Sequence, residues 1–195
     1  MTTPGRYRES RLRTLDAGEL DDEQRAYVEP MLKRSRGGLS GPINILARSP
    51  RFADSMGALG EFTRLESGGI EPRFQELAIL ITARFWSADY EWWVHVPKAV
   101  GLGIAPTAIE DIRAGRPPRD LKPDERALHD FLHTLLRDRK VTDEVYERAV
   151  AVLGEVALIH LIGFSGHYGT LAMILNATET HTPVVPEKPL EALDG

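Results

Sequence analysis

The chain has 195 residues, with 24 Lys and Arg against 29 Asp and Glu, a formal net charge of −5, 42% hydrophobic residues and no cysteine. A chain of this length buries enough surface to form one domain without a disulfide or metal staple. The absence of cysteine excludes thiolate catalysis, disulfides and Cys-ligated zinc, and the negative charge argues against a nucleic-acid partner.

The amino terminus shows no targeting signal. Residues 1–13 lack the apolar core of a secretion signal, and no stretch is expected to reach the roughly 18 apolar residues that span a bilayer. We therefore expect a cytoplasmic protein with no membrane partner.

The first 40 residues are predicted to form a polar arm with one short helix. The acidic run 21–24 leads into apolar residues at helical spacing: Tyr27, Val28, Met31 and Leu32. Residues 35–42 have the composition of a loop. An arginine cluster near the terminus favours a solvated surface over a phosphate-binding patch: Arg6, Arg8, Arg11 and Arg13.

Two helices are predicted next, and each begins at a proline. Ser49-Pro50 predicts a helix to about Leu65, ended by Ser67-Gly68-Gly69, and Glu71-Pro72 predicts a second helix to about Trp86. The apolar run from Leu77 to Thr82 fits either a buried strand or a buried helix. The length of the segment favours a helix.

The remainder of the chain is also predicted to be helical. We expect helices over 89–101, with a kink at Pro97, after Ala105-Pro106, and over 123–139. A last helical stretch runs from Thr142 to Asn176 with an interruption near 163–169, and prolines then predict an extended tail. The sequence therefore predicts an all-α protein of seven or eight helices, divided into an arm (1–40), a helical domain (41–182) and a tail (183–195).

Glu91 and His95 are the first candidate site residues. Their four-residue spacing places both on one helix face, where a carboxylate orients an imidazole for proton transfer. A helix-surface ion pair is the alternative for this spacing. Aromatic neighbours favour a pocket wall, although they fit a core or a subunit interface equally well: Tyr90, Trp92 and Trp93.

Glu76 is the second candidate, because it interrupts an apolar helix between Phe74 and Leu77. A buried carboxylate must be paired or protonated. A structural pairing with Arg73 or Arg84 is the alternative role.

The remaining histidines are weaker candidates. His129 and His133 are four residues apart, but the apolar residues around them take the buried face and no third ligand is adjacent, so we predict no metal. His160 and His167 lie in an apolar stretch, where buried, hydrogen-bonded histidines are the default.

Several separated segments resemble the carboxymuconolactone decarboxylase and alkyl hydroperoxidase D-like superfamily. The resemblance rests on residues 73–80, on Tyr90-Glu91-Trp92-Trp93-Val94-His95 and on Gly101-Leu102-Gly103, and extends over roughly 40–185. It implies an all-α fold that assembles as a homo-trimer or homo-hexamer, often with the site near a subunit interface.

The peroxidase members of this superfamily use a glutamate, a Cys-x-x-Cys pair and a histidine. The resemblance places the glutamate at Glu76, the histidine at His95, and the two cysteine positions at Ala88 and Glu91. Without a thiolate there is no nucleophile for the peroxide oxygen. Hydroperoxidase activity by that mechanism is therefore expected to be absent.

The decarboxylase branch, which acts in aromatic compound catabolism, is the closer resemblance. It carries His-Glu-x-x-x-His without cysteine, and Tyr90 stands here in place of its first histidine. The resemblance implies His95 as proton shuttle, Glu91 as its orienting partner, Glu76 as a relay and Tyr90 as a hydrogen-bond donor, without a cofactor. Candidate contacts for a small organic acid or lactone are Trp92, Trp93, Arg73 and Arg84.

Two functions are consistent with these residues. The first is a cofactor-independent lyase or decarboxylase. The second is a non-catalytic small-molecule-binding or scaffold protein that keeps the fold, since a fold does not determine a reaction.

Overall fold

A computed structural model describes residues 10–34, 39, 41–63, 70–180, 182 and 190. These residues form one 3₁₀ turn (Ala17–Glu19), eight α-helices and no strand, which confirms the all-α prediction. The helices are α1 (Asp22–Arg34), α2 (Gly41–Leu46), α3 (Pro50–Glu61), α4 (Pro72–Phe85), α5 (Asp89–Gly101), α6 (Pro106–Arg113), α7 (Pro123–Asp138) and α8 (Asp143–Ala177).

Helix α4 lies at the centre of the fold. It packs against α5, α6, α7 and α8, and every residue from Phe74 to Arg84 is buried. A helix that is buried on all sides needs neighbours on all sides. The run from Leu77 to Thr82 lies within this helix and is not a strand. Fully buried side chains that pack in the core with it from α7 and α8 include Leu128, Phe131, Leu132, Leu158, Leu161 and Phe164.

The predicted helix starts are confirmed. A proline occupies the first turn of α3, α4, α6 and α7, where the missing N–H would have had no intrahelical partner. Helix α5 continues through Pro97. It ends with Gly103 at φ 87° and with the Ile104 N–H donating to the Ala99 carbonyl at 3.1 Å.

The predicted interruption of the last helix is misplaced. Helix α8 runs through 163–169 without a break, and its non-helical residue is Gly154, at φ 75° and ψ 161°. Glycine adopts this conformation at little steric cost, whereas other residues do not. Farther along, Gly169 serves packing instead: a Cβ on it would lie 3.3 Å from Trp86 Nε1.

The predicted arm contains the expected helix, α1. Val28 packs with Leu20 and Ala47 in a small cluster of its own. The loop prediction is wrong at residues 41 and 42, which begin α2, while 35–38 and 40 lie outside the described residues. Also outside them lie Arg6, Arg8, the glycines at 68 and 69, and the tail at 183–189 and 191–195. The division into arm, domain and tail stays a prediction.

The expectation that no segment reaches membrane length is wrong for α8. Within the described residues, α8 alone is long and apolar enough to cross a membrane by length and composition: an 18-residue window has a mean hydropathy of 1.8, and 33% of that window is buried. Leu158, Leu161 and Phe164 on its inner face belong to the core. The same test is passed by core helices, so this finding by itself indicates no membrane.

A buried carboxylate secures the connection between α6 and α7. Asp111 is 1% exposed and accepts hydrogen bonds from Arg116 Nη2 at 2.8 Å, Arg119 Nε at 2.8 Å and the Arg119 backbone N–H at 3.0 Å. The hydrogen bonds from Arg119 and Arg116 hold the pKa of Asp111 well below its usual range.

Because the pKa of Asp111 is lower in the folded state, this carboxylate stabilises the fold above the unfolded pKa of about 3.9, and the contribution is lost as the pH falls further. We expect Asp111→Asn to lower the melting temperature at pH 7. The difference from wild type should shrink below about pH 4. Melting followed by circular dichroism checks this, with the exposed Asp54→Asn as control, and a difference independent of pH would contradict it.

Candidate active site

Helices α4 and α5 bring two carboxylates to one buried imidazole. His95 Nδ1 lies 2.5 Å from Glu76 Oε2, and His95 Nε2 lies 3.5 Å from Glu91 Oε2. Glu76, Glu91 and His95 are 3%, 4% and 4% exposed. We call these three residues the Glu–His–Glu cluster.

The local sequence explains how the cluster forms. The buried residues of α5 are Glu91, Trp92, His95 and Ala99, which recur at helical spacing and face α4. Glu76 comes from α4, all of whose sides are covered. The cluster is therefore held by packed helices rather than by loops, and its geometry is set by the core.

The two carboxylates differ in how they contact the imidazole. The sequence predicts Glu91 as the orienting partner, whereas the structure gives the short contact to Glu76. At 3.5 Å the Glu91 contact is longer than an ordinary hydrogen bond. His95 Nδ1 is therefore anchored by Glu76, and Nε2 is the less constrained nitrogen.

Helix α8 closes the cluster on a further side. The Tyr168 ring lies edge-on to the His95 ring, with centroids 5.4 Å apart and planes at 84°, and Thr82 Oγ1 lies 2.8 Å from Ser165 Oγ across the α4 and α8 contact. Sequence analysis missed Tyr168 as a neighbour of His95. Tyr168 lies next to His95 only because of the way α8 packs along α4. The spacing of residues within one helix does not predict that packing.

Tyr90 lines a cavity of about 150 Å³ beside the end of α8. The other lining residues are Ser87, Asp89, Leu175, Asn176, Glu179 and Thr180, and Glu179 also pairs with Arg11 at 2.7 Å. Burial and the nearby Glu91 carboxylate raise the pKa of the Tyr90 phenol. Of the eight predicted site residues, Tyr90 alone lines this cavity, whose two carboxylates make it a poor site for a substrate carboxylate.

The two adjacent tryptophans have different surroundings. Trp92 belongs to the hydrophobic core, whereas Trp93 is 41% exposed and lies 6.4 Å from the Tyr90 ring. They therefore do not form a common wall, and their predicted role as substrate contacts stays a prediction.

The two arginines proposed for a substrate carboxylate lie near opposite ends of α4. Arg73 binds Glu71 at 2.9 Å, Asp124 at 2.5 Å and Glu125 at 3.1 Å. The hydrogen bond to Asp124 is the main reason that the pKa of Arg73 is raised. Arg84 is buried and donates to Ser87 Oγ at 3.0 Å. Arg73 would have to break three ion pairs to bind a substrate.

Four other described histidines lie on α7 and α8. His129 and His133 stack with centroids 5.3 Å apart, and burial lowers the pKa of both. His160 lies edge-on to Phe62, and a Cβ on Gly60 would lie 3.0 Å from His167, so both rings face α3. The described part of the chain contains no group of three or more His, Cys, Asp or Glu placed to hold a metal ion.

Comparisons with known proteins identify the fold. No family model matches the chain, and no curated protein matches it significantly. A solved structure from Ralstonia eutropha JMP134, an alkylhydroperoxidase AhpD core described as an uncharacterized peroxidase-related protein, matches with a TM-score of 0.74 and 16% identity over 88% of this chain and 91% of that one.

Two further solved structures have the same fold. An uncharacterized peroxidase-related protein from Silicibacter sp. TM1040 matches with a TM-score of 0.68 and 16% identity over 88% of this chain and 90% of that one. A protein of unknown function from Agrobacterium tumefaciens, described as a putative antioxidant defence protein AhpD, matches with a TM-score of 0.64 and 20% identity over 75% and 100%. At these identities the likeness shows the AhpD-like fold alone.

Proposed function

We propose that the chain is a cofactor-independent lyase or decarboxylase that acts on a small organic acid or lactone by proton transfer at the Glu–His–Glu cluster. The asymmetry of the two contacts on His95 is the observation that carries the proposal. Nδ1 is fixed at 2.5 Å from Glu76, and Nε2 lies 3.5 Å from Glu91. An imidazole anchored at one nitrogen presents the other to a reacting group.

Each residue of the cluster has a distinct role in this proposal. His95 Nε2 delivers or removes the proton at the substrate. Glu76 holds the ring in place through Nδ1 and balances the charge that develops on it. Glu91 is positioned to exchange a proton with Nε2 between turnovers, because the two groups lie on one face of α5.

The proposed reaction balances without a redox step. In decarboxylation of an unsaturated lactone acid, the C–C bond to the carboxylate breaks, carbon dioxide leaves, and the electron pair enters the conjugated system. A single proton from His95 then bonds to carbon, and solvent returns it to the cluster. The candidates for the substrate carboxylate are Arg73 and Arg84, and Arg73 already binds three carboxylates.

Thiol-based peroxide reduction is not part of this proposal, although two of the structural neighbours are described as peroxidase-related proteins. These 195 residues contain no cysteine, and Ala88, at one of the two positions where the resemblance places a cysteine, is a buried residue of the core.

We also propose that the protein is cytoplasmic and that it assembles as a homo-trimer or homo-hexamer. The family resemblance implies the assembly.

The test is to supply carboxymuconolactone and related unsaturated lactones and acids in deuterium oxide. Wild type is expected to consume one of them and to place one deuterium on carbon, followed by NMR. Glu76→Gln keeps the shape and loses the charge that anchors Nδ1, so we expect kcat to fall about 10- to 100-fold.

His133→Asn is the matched control, because His133 lies on α7 away from the cluster. It is expected to keep the wild-type rate. If wild type consumes no substrate and incorporates no deuterium, the proposed function is wrong and a non-catalytic binding protein is the better description. If wild type is active and Glu76→Gln is equally active, the proposed role of Glu76 is wrong.

A further inference from the structure

We infer that the outer face of α8 pairs with the same face of a second copy, antiparallel and about a two-fold axis near residue 161. This inference is independent of the chemistry at the Glu–His–Glu cluster. It begins from exposed apolar side chains. Val156 and Ile159 are each 67% exposed, whereas large apolar side chains of a globular chain are more often buried.

The exposed residues follow the spacing of a helix-pairing seam. Counting from Val156, the outward positions are separated alternately by three and four residues, and they form what we call the α8 seam: Val156, Ile159, Gly163, Gly166, Thr170 and Met173. None of them is charged, and none is buried in the chain. A repeat of this spacing over about 25 Å is typical of a helix that packs along another helix.

The order of large and small residues in the seam points to a second copy. Two bulky residues, Val156 and Ile159, precede two glycines, Gly163 and Gly166. In an antiparallel pair centred near residue 161, Ile159 faces Gly163 of the partner and Val156 faces its Gly166. Both contacts place a bulky side chain on a glycine, which is the self-complementarity that a two-fold interface requires.

The glycine half of the seam has room for these side chains. A Cβ built on Gly166 meets no atom within 4 Å, and one on Gly163 meets only Leu59 at 3.9 Å and Thr63 at 4.0 Å. The surface above the two glycines is therefore an open depression. It lies next to Leu59 of α3, which is itself exposed.

Exposed apolar side chains on and just after α3 lie next to the seam. Phe52 and Leu59 on α3 and Phe62 just after it are each more than 40% exposed, and Phe62 contacts His160 of α8 with ring centroids 5.1 Å apart. Together the two helices present on the order of several hundred Å² of apolar surface. A standard interface buries about 800 Å² per partner. This apolar face is therefore large enough to form the centre of such an interface.

The charges around the seam favour a second copy over a lipid surface. The exposed charged residues of α3, and those of α8 after Gly154, are Arg51, Asp54, Glu61 and Glu155, three acidic and one basic. Peripheral membrane helices instead carry Lys and Arg beside the apolar face. The inner face of α8 also packs in the core through Leu158 and Leu161.

A two-fold contact has a consequence for the assembly. It produces an even number of subunits, so it agrees with the proposed homo-hexamer and not with a lone cyclic trimer.

The absence of natural cysteine makes disulfide crosslinking a direct test. In the double variant Val156→Cys with Gly166→Cys, the two positions of one chain are about 15 Å apart along the helix and cannot bond to each other. Across the proposed interface they face one another. We expect oxidation to give a covalent dimer with the double variant and none with either single variant, measured by non-reducing electrophoresis.

A second measurement does not depend on crosslinking. Val156→Glu is expected to dissociate the pair in light scattering, and adding Gly166→Lys to it is expected to restore the pair, because the introduced carboxylate and ammonium face each other across the axis. Circular dichroism confirms that each variant is folded.

Three results would overturn the inference. The first is a wild-type chain that is monomeric at tens of micromolar, and the second is a Val156→Glu variant with the wild-type mass. The third is crosslinking by the single variants equal to that of the double variant. A monomer that also sediments with anionic vesicles would identify the face as a membrane surface instead.

Discussion

His95→Asn is expected to lower kcat for the proton-transfer reaction by about 100- to 10,000-fold, the usual contribution of a positioned acid or base. The asparagine amide can still donate to Glu76, which lies 2.5 Å from His95 Nδ1. It cannot accept and return a proton as an imidazole does. The loss should therefore fall on kcat, with a smaller change in KM.

The measurement is steady-state turnover of the lactone or acid that wild type consumes, together with deuterium incorporation at carbon. A melting temperature close to that of wild type separates lost chemistry from lost structure. His160→Asn, on the α3 side of α8, is the matched histidine control and is expected to retain activity. A His95→Asn enzyme with a wild-type rate would exclude His95 as the proton shuttle.

The second large effect concerns stability. His95→Leu leaves two buried carboxylates, Glu76 and Glu91, without the imidazole between them. Removing one member of a buried charged cluster commonly costs about 3 to 5 kcal/mol. We expect a loss of this size in the free energy of unfolding, measured by urea denaturation.

Adding Glu76→Met and Glu91→Met to His95→Leu is expected to reverse this loss. Replacing a whole buried ionic cluster with apolar side chains of similar volume is often neutral or stabilising by about 1 to 4 kcal/mol. The triple variant should therefore be at least as stable as wild type and inactive. A triple variant less stable than wild type would contradict this prediction and would mean that the cluster itself stabilises the fold.

Local sequence signals predicted most of the helices, and for identifiable reasons. A proline in the first turn marks the start of α3, α4, α6 and α7. The break in α8 was misplaced because Gly163, Gly166 and Gly169 are helical, while Gly154 adopts φ 75°. A glycine can adopt a left-handed conformation, but its presence in the sequence does not require one.

The sequence indicated which residues form the Glu–His–Glu cluster better than it indicated how they contact one another. The spacing of Glu91 and His95 is local, so the sequence predicted their shared face. The short contact between Glu76 and His95 depends on how α4 packs on α5. The same limit applies to Arg73, whose partners Asp124 and Glu125 lie some fifty residues away on α7, and to Tyr168 on α8. Such contacts depend on how helices that are far apart in the sequence pack together. The spacing of residues within one helix does not predict this packing.

The residue at the start of α5 has a consequence for how the site would be regenerated. Ala88 is the N-cap residue of this helix, at one of the two positions where the resemblance places a cysteine. A thiol enzyme must receive two electrons after each turnover, and therefore depends on a reductant and on the redox poise of its compartment. A cluster of two carboxylates and an imidazole returns to its starting state by exchanging protons with water. Under the proposed function, catalysis would proceed equally well in oxidising and reducing surroundings and would require no electron donor.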